Sequence, residues 1–540
     1  MKKTLIAIGV LILVVGAAFY IHHTQSGSQA TDRALVIGFE NDVPTFDPLR
    51  LSNVFALRVG SQVFEGLTHL DDKNMIVGAV AESWRSSPDF KTWTFRLRAG
   101  VKFHPHATLD AAARNLTAED VVYSFTRMLS KDAVPAGPLS SVLQGAKEYQ
   151  EGKAPSVSGL QVISSNEVEF KLIRSDALFP GRISSPAYGI VKKTVVDKAG
   201  ADFGQTMAVG TGPFQFVERR GNELVFKRFS EYWGAGAGVE SLIFRTVKED
   251  AVRLAELKAG RLNATYATEP MLNGLVEKAG GTLRVKESEA RAVAIQSFPV
   301  FNTYFLAFNY PKVDPDLRRA IALAVNRDEV ISAAVPMTGM PAAGPIPLAC
   351  AGYTTMVKWG RDLDGARAAL DAYRTKHPGV APKIKILTCE VAQSTPIGEV
   401  LQSQLKPLGI EVDIVQQSFN AVIGSIQKGD FDSVVIFFEY QYSLPQLILE
   451  NFFTSSSIPL PNLFYYSKPS NDAAIAALFE TGNEAASLTQ AAVVEKALVD
   501  DAPGVFLFQT QQVILFSPDL QGVRFNAANF PILTNASWKK

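Results

Sequence analysis

The sequence predicts an α/β fold in two lobes that are joined by two crossovers. Strand-like and helix-like segments alternate between Lys383 and Phe438, which is typical of an α/β unit. The chain also begins and ends with strand-like segments, so its C-terminus is expected to complete the first lobe. In addition, 540 residues are too many for one hydrophobic core.

The composition is that of a globular protein without excess charge. Apolar residues make up 47% of the chain and charged residues 20%, and 53 basic side chains balance 53 acidic ones. A disordered chain would be poorer in apolar residues, and a nucleic-acid-binding chain would carry an excess of positive charge. The composition therefore argues against both classes, and nucleic acid is not expected as a partner.

The first 30 residues are predicted to direct export. Lys2 and Lys3 precede an uncharged apolar run of 18 residues, Thr4 to Ile21. This run is longer than the usual signal core and just reaches the length that spans a bilayer. Ser28 to Ala30 fits a cleavage site only loosely, so residues 1–30 are either a cleaved signal peptide or a retained anchor. In both cases the remainder is expected in the periplasm or on the outer face of the cytoplasmic membrane.

The N-terminal part of the globular region is predicted to be rich in strands. Ala34 to Glu40 reads as the first strand, and the pattern from about Val43 to Arg98 is mostly strand and turn. Within it, Trp93 to Arg98 alternates apolar and polar residues with a period of two. That alternation predicts a half-buried strand.

Two later helices are marked by capping residues. Thr117 is the predicted N-cap of the first, with Asp120 at the third position and Phe125 on its apolar face. Asp314 is the predicted N-cap of the second, with Pro315 at the first helical position. Both helices are expected to pack on a core.

The remaining elements are predicted from alternation and from turn-forming glycines. Gly409 and Gly429 separate elements in the middle section. The predicted order there is strand, helix, strand, helix and strand, namely Lys383 to Cys389, Ile397 to Leu405, Glu411 to Val415, Phe419 to Lys428 and Phe431 to Phe438. Two more strand-like segments, Val505 to Phe508 and Val513 to Phe516, lie near the C-terminus.

The cysteines and histidines do not indicate a metal or a reactive centre. After export, Cys350 and Cys389 would form one disulfide bond or remain two buried thiols. His104 and His106 have a spacing that could hold a metal, but no acidic residue or cysteine accompanies them in sequence. The motifs of serine hydrolases, zinc proteases, nucleotide-binding loops and dinucleotide-binding folds are absent from the sequence. No metal, cofactor or catalytic residue is predicted.

Several sequence blocks occur together in a known family. Three stand near the N-terminus, namely FDPLRLSNVFALRVGSQVFEGL (Phe46 to Leu67), AESWRSSPDFKTWTFRLRAGVKFH (Ala81 to His104) and LTAEDVVYSFTRM (Leu116 to Met128). Others follow, namely VGTGPF from Val209, EYW from Glu231, RLAELKAGRLNATY from Arg253, LAFN from Leu306 and DPDLRRAIALAVNRDEV from Asp314. On these residues the chain resembles, from Phe39 onward, the family 5 solute-binding proteins of ABC importers, the peptide- and nickel-binding family.

The resemblance implies a two-lobed periplasmic binding protein fold, type II-like and of cluster C, with an extra subdomain in lobe one. Lobe one would comprise residues 34–295 plus 505–540, with the subdomain at about 68–200, and lobe two residues 296–504. The crossovers would lie near Val293 to Phe301 and Asp501 to Phe508. A hinge would close the cleft over the ligand. The resemblance also places His104 in a surface turn.

The resemblance further indicates a loop that would hold the ligand. In peptide-binding members, a W-x-x-D-Y-x-x-P loop places its Asp on the terminal ammonium group of the peptide. Here Phe438 stands in place of the Trp and Gln441 in place of the Asp, while Tyr442 is retained. Glu439, two residues before Gln441, would project to the same side of an extended segment and could supply the missing charge. The alternative for Glu439 is a solvent-exposed loop side chain.

Four further residues align with the family's cleft. Ser52, Asn53 and Val54 would line it from lobe one, and Asn309 would stand at the start of lobe two. For each of them, a plain turn or strand-end role fits equally well.

The expected function is therefore that of the solute-binding subunit of an ABC importer. It would capture a peptide or peptide-like solute and deliver it to the permease subunits in the cytoplasmic membrane, and it would be monomeric and not an enzyme. Three different functions stay open beside this one. They are a binding protein for a non-peptide solute, a secreted hydrolase, and a sensor or chaperone held by the N-terminal segment.

Overall fold

The computed structural model describes residues 33–539 except 52, 132, 134–136, 354–359 and 391–392. The predicted export segment, residues 1–30, therefore lies outside the described residues. Within the described part, no helix combines the length and the apolar character needed to cross a membrane.

The described residues form 24 strands and 16 α-helices. The strands are β1 Leu35–Phe39, β2 Thr68–Leu70, β3 Ile76–Gly78, β4 Ala81–Ser86, β5 Thr92–Leu97, β6 Leu160–Ser164, β7 Glu167–Lys171, β8 Phe214–Arg220, β9 Glu223–Arg228, β10 Ser241–Thr246, β11 Ala264–Tyr266, β12 Val276–Ala279, β13 Thr282–Val285, β14 Ala294–Pro299, β15 Asn302–Phe308, β16 Gly339–Pro341, β17 Lys383–Cys389, β18 Glu411–Gln417, β19 Ser433–Glu439, β20 Gly504–Phe516, β21 Leu520–Gln521, β22 Arg524–Phe525, β23 Pro531–Ile532 and β24 Ser537–Trp538. The helices are α1 Val54–Val63, α2 Ala118–Met128, α3 Gly137–Ser140, α4 Ala146–Gln150, α5 Phe179–Arg182, α6 Lys193–Ala199, α7 Asp250–Lys258, α8 Glu269–Leu272, α9 Pro315–Ala324, α10 Arg327–Ala334, α11 Leu363–Lys376, α12 Ser394–Leu405, α13 Phe419–Lys428, α14 Pro445–Phe453, α15 Pro469–Ala477 and α16 Glu484–Asp500.

Twelve strands form one mixed sheet that runs through both lobes. Its order is β18-β17-β19-β15-β20-β11-β1-β10-β9-β8, and β14 and β16 also pair with β20. In lobe one, β1 lies between β10 and β11 and is parallel to both. In lobe two, β17 lies between β18 and β19 and is parallel to both. Each lobe thus contains parallel strands, as the predicted α/β class requires.

The long strand β20 connects the two halves of this sheet. Its first half pairs with β15, with Gly504 opposite Ala307, and its second half pairs with β14 and β11, with Phe516 opposite Ala294 and Ala264. The prediction of two separate strands here is wrong, because β20 is one strand of 13 residues. The polar residues in its middle stay in the sheet because Gln509 and Thr510 pair with β16, while Gln511 and Gln512 pair with β14.

A second, four-stranded antiparallel sheet lies within residues 68–200, which we call the subdomain. Its order is β4-β5-β7-β6. Phe95 and Phe170 meet edge to face across neighbouring strands, and Phe125 of α2 packs on Phe170 with ring centroids 5.0 Å apart. The subdomain therefore has an aromatic core of its own.

The predicted helix starts are confirmed. Helix α2 begins after Thr117, whose backbone N–H donates to Asp120 Oδ2 at 3.1 Å. Helix α9 begins after Asp314, whose Oδ1 accepts from the backbone N–H of Asp316 at 2.8 Å. The alternation of strands and helices from Lys383 onward is also confirmed.

Helix α1 was not predicted, since residues 43–98 were expected to be strand and turn. Asn53 caps this helix, and its Oδ1 accepts from the backbone N–H of Ala56 at 2.9 Å. The sequence is rich in β-branched and aromatic residues, which favour strands on an exposed surface. Here eight of the ten helical residues are buried, so tertiary packing outweighs that preference.

The structure shows the state of the two cysteines and the burial of His104. Cys350 and Cys389 are buried free thiols, not a disulfide. The prediction of a surface turn at His104 is wrong, because this side chain is only 1% exposed. The Gly210 N–H donates to its Nδ1 at 3.3 Å, so Nε2 carries the proton and donates to Gly212 O at 2.8 Å. Burial lowers the pKa of His104 to about 4.

Glu495, on α16, is a buried carboxyl group that makes stability depend on pH. It is 4% exposed, and it accepts one hydrogen bond, from the backbone N–H of Ile346 at 3.3 Å. Burial raises its pKa from 4.5 to about 7. Between these pH values the folded protein keeps a proton that the unfolded chain loses. Glu495 alone therefore lowers the free energy of unfolding by about 3 kcal/mol as pH rises through this window.

We expect Glu495→Gln to reduce this loss, because an amide has no proton to release. Urea unfolding measured from pH 5 to pH 8 would compare the variant with the wild-type protein. Glu480→Gln, at an exposed position, is the matched control and should keep the wild-type slope. An unchanged slope in Glu495→Gln would show that Glu495 titrates normally.

Candidate ligand-binding cleft

The predicted ligand loop follows directly from strand β19. Glu439 is the last residue of the strand and lies opposite Asn302 of β15. Tyr440 extends the pairing by one residue, since its N–H donates to Phe301 O at 2.6 Å. The chain then leaves the sheet and begins α14 at Pro445. The loop therefore lies beside the residues at which the chain passes from β14 to β15.

Phe438 belongs to an aromatic cluster of lobe two. Its ring centroid is 4.1 Å from that of Phe452 and 4.9 Å from that of Phe305. Tyr440 joins the same cluster, 5.0 Å from Phe452, and is 1% exposed. Phe438 is half-buried, and its packing in this cluster fixes the position of its ring beside the loop.

Glu439 faces charged groups of lobe one. Burial raises the pKa of its carboxyl group, the positive charge of Arg58 lowers it, and the negative charge of Glu40 raises it further. Both neighbours belong to lobe one, where Glu40 follows β1 and Arg58 lies on α1. Glu439 is half-buried rather than fully exposed, and the charges that act on its carboxyl group come from residues distant in sequence.

Two side chains near this position have enclosed polar atoms without partners. Gln441 Oε1 and Glu40 Oε2 are buried and lack a hydrogen-bond partner among the described residues. An unpaired buried polar atom costs about 1–3 kcal/mol, so such atoms are rare unless something else satisfies them. One of these two atoms follows β1 and the other follows β19.

Arg58, whose charge acts on Glu439, was not singled out by the sequence reasoning. It is 3% exposed, and its guanidinium group lies 3.7 Å from the ring centroid of Tyr266. Its Nε donates to Asn529 O at 3.2 Å. These contacts hold a positive charge at the lobe-one side of the cleft. The sequence signal that could have identified Arg58 is that it is the single charged residue of helix α1.

Tyr442 lies where the subdomain meets lobe two. Burial raises the pKa of its hydroxyl group to about 12, with Arg182 lowering it and Glu450 raising it. Burial also raises the pKa of Tyr188, in the subdomain, and Tyr442 adds to that effect. The tyrosine retained from the family motif is thus enclosed between two parts of the protein.

A buried ion-pair cluster holds the subdomain against lobe two. Arg182 and Asp176 are both 0% exposed, and Arg182 Nε donates to Asp176 Oδ2 at 2.6 Å. A second guanidinium nitrogen of Arg182 lies 2.7 Å from Glu450 Oε2 on α14. Arg174 pairs with the same glutamate. The cluster therefore links α5 of the subdomain to α14.

A cavity of about 600 Å³ lies next to this cluster, and we call it the subdomain cavity. Its volume falls in the range of ligand-binding pockets. Its described lining residues come from the subdomain and lobe two, namely Ser141, Arg174, Tyr442, Glu450, Asn451, Phe452, Thr454, Ser456, Ser457, Leu460, Pro461, Asp472, Ile475 and Ala476. A smaller cavity of about 170 Å³ is lined by residues between Ser61 and Ala237 and between Asn526 and Thr534, and none of the predicted site residues that the structure describes is among them.

The remaining predicted site residues do not belong to the ligand loop. Ser52 lies outside the described residues. Asn53 caps α1, and Val54 is its first, half-buried residue. Asn309 is 2% exposed, and its Nδ2 donates to Gly429 O and Phe431 O, both at 3.1 Å. It follows β15, at the end away from Glu439, so the structure does not bring it together with the ligand loop.

The chain is similar to known bacterial binding proteins in sequence. The model of the bacterial extracellular solute-binding proteins, family 5, matches residues 75–459. The dipeptide-binding protein of Escherichia coli is 27% identical over 379 residues, which cover 67% of each chain. The periplasmic oligopeptide-binding protein OppA of Salmonella typhimurium is 24% identical over 542 residues, which cover 96% of this chain and 95% of that one.

A solved structure has the same fold over almost the whole chain. It is the ABC transporter-associated periplasmic binding protein DppA from Helicobacter pylori in complex with the peptide STSA. The TM-score is 0.75 at 18% sequence identity, and the match covers 95% of this chain and 100% of that one. The two-lobed α/β fold predicted from the sequence is therefore confirmed.

Proposed function

Because the chain belongs to the bacterial extracellular solute-binding proteins of family 5, we propose that it captures a peptide or peptide-like solute between its two lobes. The observation that carries the proposal is the set of polar groups that meet at the cleft. In this proposal Glu439 and Gln441 would contribute from lobe two, and Arg58 and Glu40, whose charges act on Glu439, from lobe one. Relatives named for dipeptides and oligopeptides support the choice of ligand class.

The proposed site offers a group for each polar part of a peptide. The carboxylate of Glu439 would receive the terminal ammonium group, and the Gln441 amide would hydrogen-bond next to it. Arg58 would balance the acidic groups and attract a carbonyl or carboxylate oxygen. Phe438 and Tyr442 would enclose the ligand. Asn53 and Val54 remain proposed as the lobe-one edge, and the site leaves Asn309 out.

Capture would be coupled to closure of the lobes. We place lobe one at residues 34–295 plus 505–540 and lobe two at 296–504, with β20 and the β14–β15 connection as the crossovers. A closed cleft replaces the water around the ligand with the protein's polar groups and changes the outer shape of the protein. In the proposed role the exported, monomeric protein presents this shape to the permease of an ABC importer and carries out no catalysis.

Native mass spectrometry would test the ligand class. Residues 31–540 would be exported from a bacterial host, purified without denaturation and then gently unfolded, so that any bound molecule is released and weighed. A spread of peptide masses is expected. A single non-peptide mass, or none, would favour a non-peptide solute as the ligand. Peptide cleavage by the purified protein would favour a hydrolase instead.

A further inference from the structure

We propose that the subdomain cavity selects a positively charged side chain of the bound peptide. This inference rests on the proposed function, since it assigns a specificity to one part of the same ligand site. It names the chemical class of side chain that the cavity accepts, namely the lysine or arginine type, and it identifies Asp472 as the residue that recognises it.

The subdomain cavity and the predicted ligand loop share one residue, Tyr442. This residue belongs to the loop and also lines the cavity. It directly follows Gln441, whose side-chain oxygen is buried and unpaired among the described residues. A peptide held at Glu439 and Gln441 therefore has the cavity beside it, and about 600 Å³ is enough for at least one long side chain.

Among the described charged residues around the cavity, one carboxylate has no cationic partner. Arg174 and Arg182 both pair with Glu450, and Arg182 also pairs with Asp176. Asp472, on α15, lines the cavity and accepts one neutral hydrogen bond, from the backbone N–H of Ser455 at 3.0 Å. No ion pair of Asp472 is present within the described part of the chain. It is half-buried, so its charge is only partly screened by water.

The remaining lining suits a cation with an aliphatic stem. The rings of Tyr442 and Phe452 can accept a cation on their faces, and Leu460 and Ile475 can contact methylene groups. Ser457 adds a hydroxyl oxygen at the wall. A carboxylate, aromatic faces and apolar surface together match the three parts of a lysine side chain better than an acidic or a short polar one.

Matched peptides would test the inference. A set of tri- and tetrapeptides would carry lysine, acetyl-lysine or norleucine at each position in turn, and binding would be measured by isothermal titration. At one position we expect wild-type protein to bind the lysine peptide about tenfold more tightly than the two neutral ones. In Asp472→Asn this preference should fall to less than about twofold.

The variant is chosen to separate charge from structure. Asn keeps the Oδ1 atom that accepts from Ser455, so the local fold should persist, and the thermal midpoint would check it. Glu480→Gln, at an exposed position, should leave the preference unchanged. The comparison of lysine with acetyl-lysine on wild-type protein needs no variant at all.

The possible results are distinct. If lysine, acetyl-lysine and norleucine peptides bind equally at every position, the inference is overturned while the proposed function stands. If the preference exists but survives in Asp472→Asn, the assignment to this cavity is overturned. If no peptide binds, the proposed function fails, and this inference fails with it.

Discussion

Replacing Arg182 with methionine is expected to lower the free energy of unfolding by about 3–5 kcal/mol. Arg182 is fully buried and holds two carboxylates, Asp176 and Glu450. Burial already raises the pKa of Asp176, which shows that its charge is costly in this position. Without the guanidinium group, Asp176 would remain buried without its counter-charge. Urea unfolding followed by circular dichroism would measure the loss.

Two further variants locate the cause of this loss. Arg174→Met removes a 35% exposed partner of the same Glu450, and we expect it to cost at most about 1 kcal/mol. Asp176→Asn combined with Arg182→Met should recover part of the stability, because Asn carries no charge and its Oδ1 can still accept from Leu178 N–H. Equal losses for Arg174→Met and Arg182→Met would contradict this account.

Replacing Glu439 with glutamine is expected to weaken the binding of peptides with a free terminal ammonium group by about 10- to 100-fold. In the proposed site this carboxylate is the counter-charge of the ammonium group, since Gln441 is neutral. An N-acetylated peptide has no ammonium group, so it should bind the wild-type protein and the variant equally. Glu399→Gln, at an exposed position in lobe two, serves as the matched control. Unchanged binding in Glu439→Gln would exclude this role.

The same site should make peptide binding depend on pH. Burial raises the pKa of Glu439 in the free protein, whereas a bound ammonium group would favour the ionised carboxylate and lower the pKa. Binding then releases a proton, so the affinity should rise with pH until Glu439 is ionised in the free protein. Titrations between pH 5 and pH 7, where the ligand ammonium stays protonated, would measure this slope. The slope should disappear in Glu439→Gln.

Local patterns predicted the regular elements where neighbouring residues decide them. The caps at Thr117 and Asp314 start helices as expected, since each capping bond joins residues two or three positions apart. The same kind of reasoning failed at α1 and in the middle of β20. In both places, partners that are distant in sequence stabilise a conformation that the local composition does not favour.

The sequence by itself determined the α/β class and those helices and strands that have strong local signals, among them α2, α9 and the alternating elements from Lys383 onward. The loop from Phe438 to Pro445 was identified through the family resemblance. Only the tertiary structure decided which charged side chains from distant parts of the chain come together. Arg58 and Glu40 come to Glu439 from the other lobe, and Arg182 comes to Glu450 from the subdomain. Such contacts depend on the order of strands in the sheet and on how the lobes pack. No spacing along the chain encodes them, because the residues involved are separated by hundreds of positions.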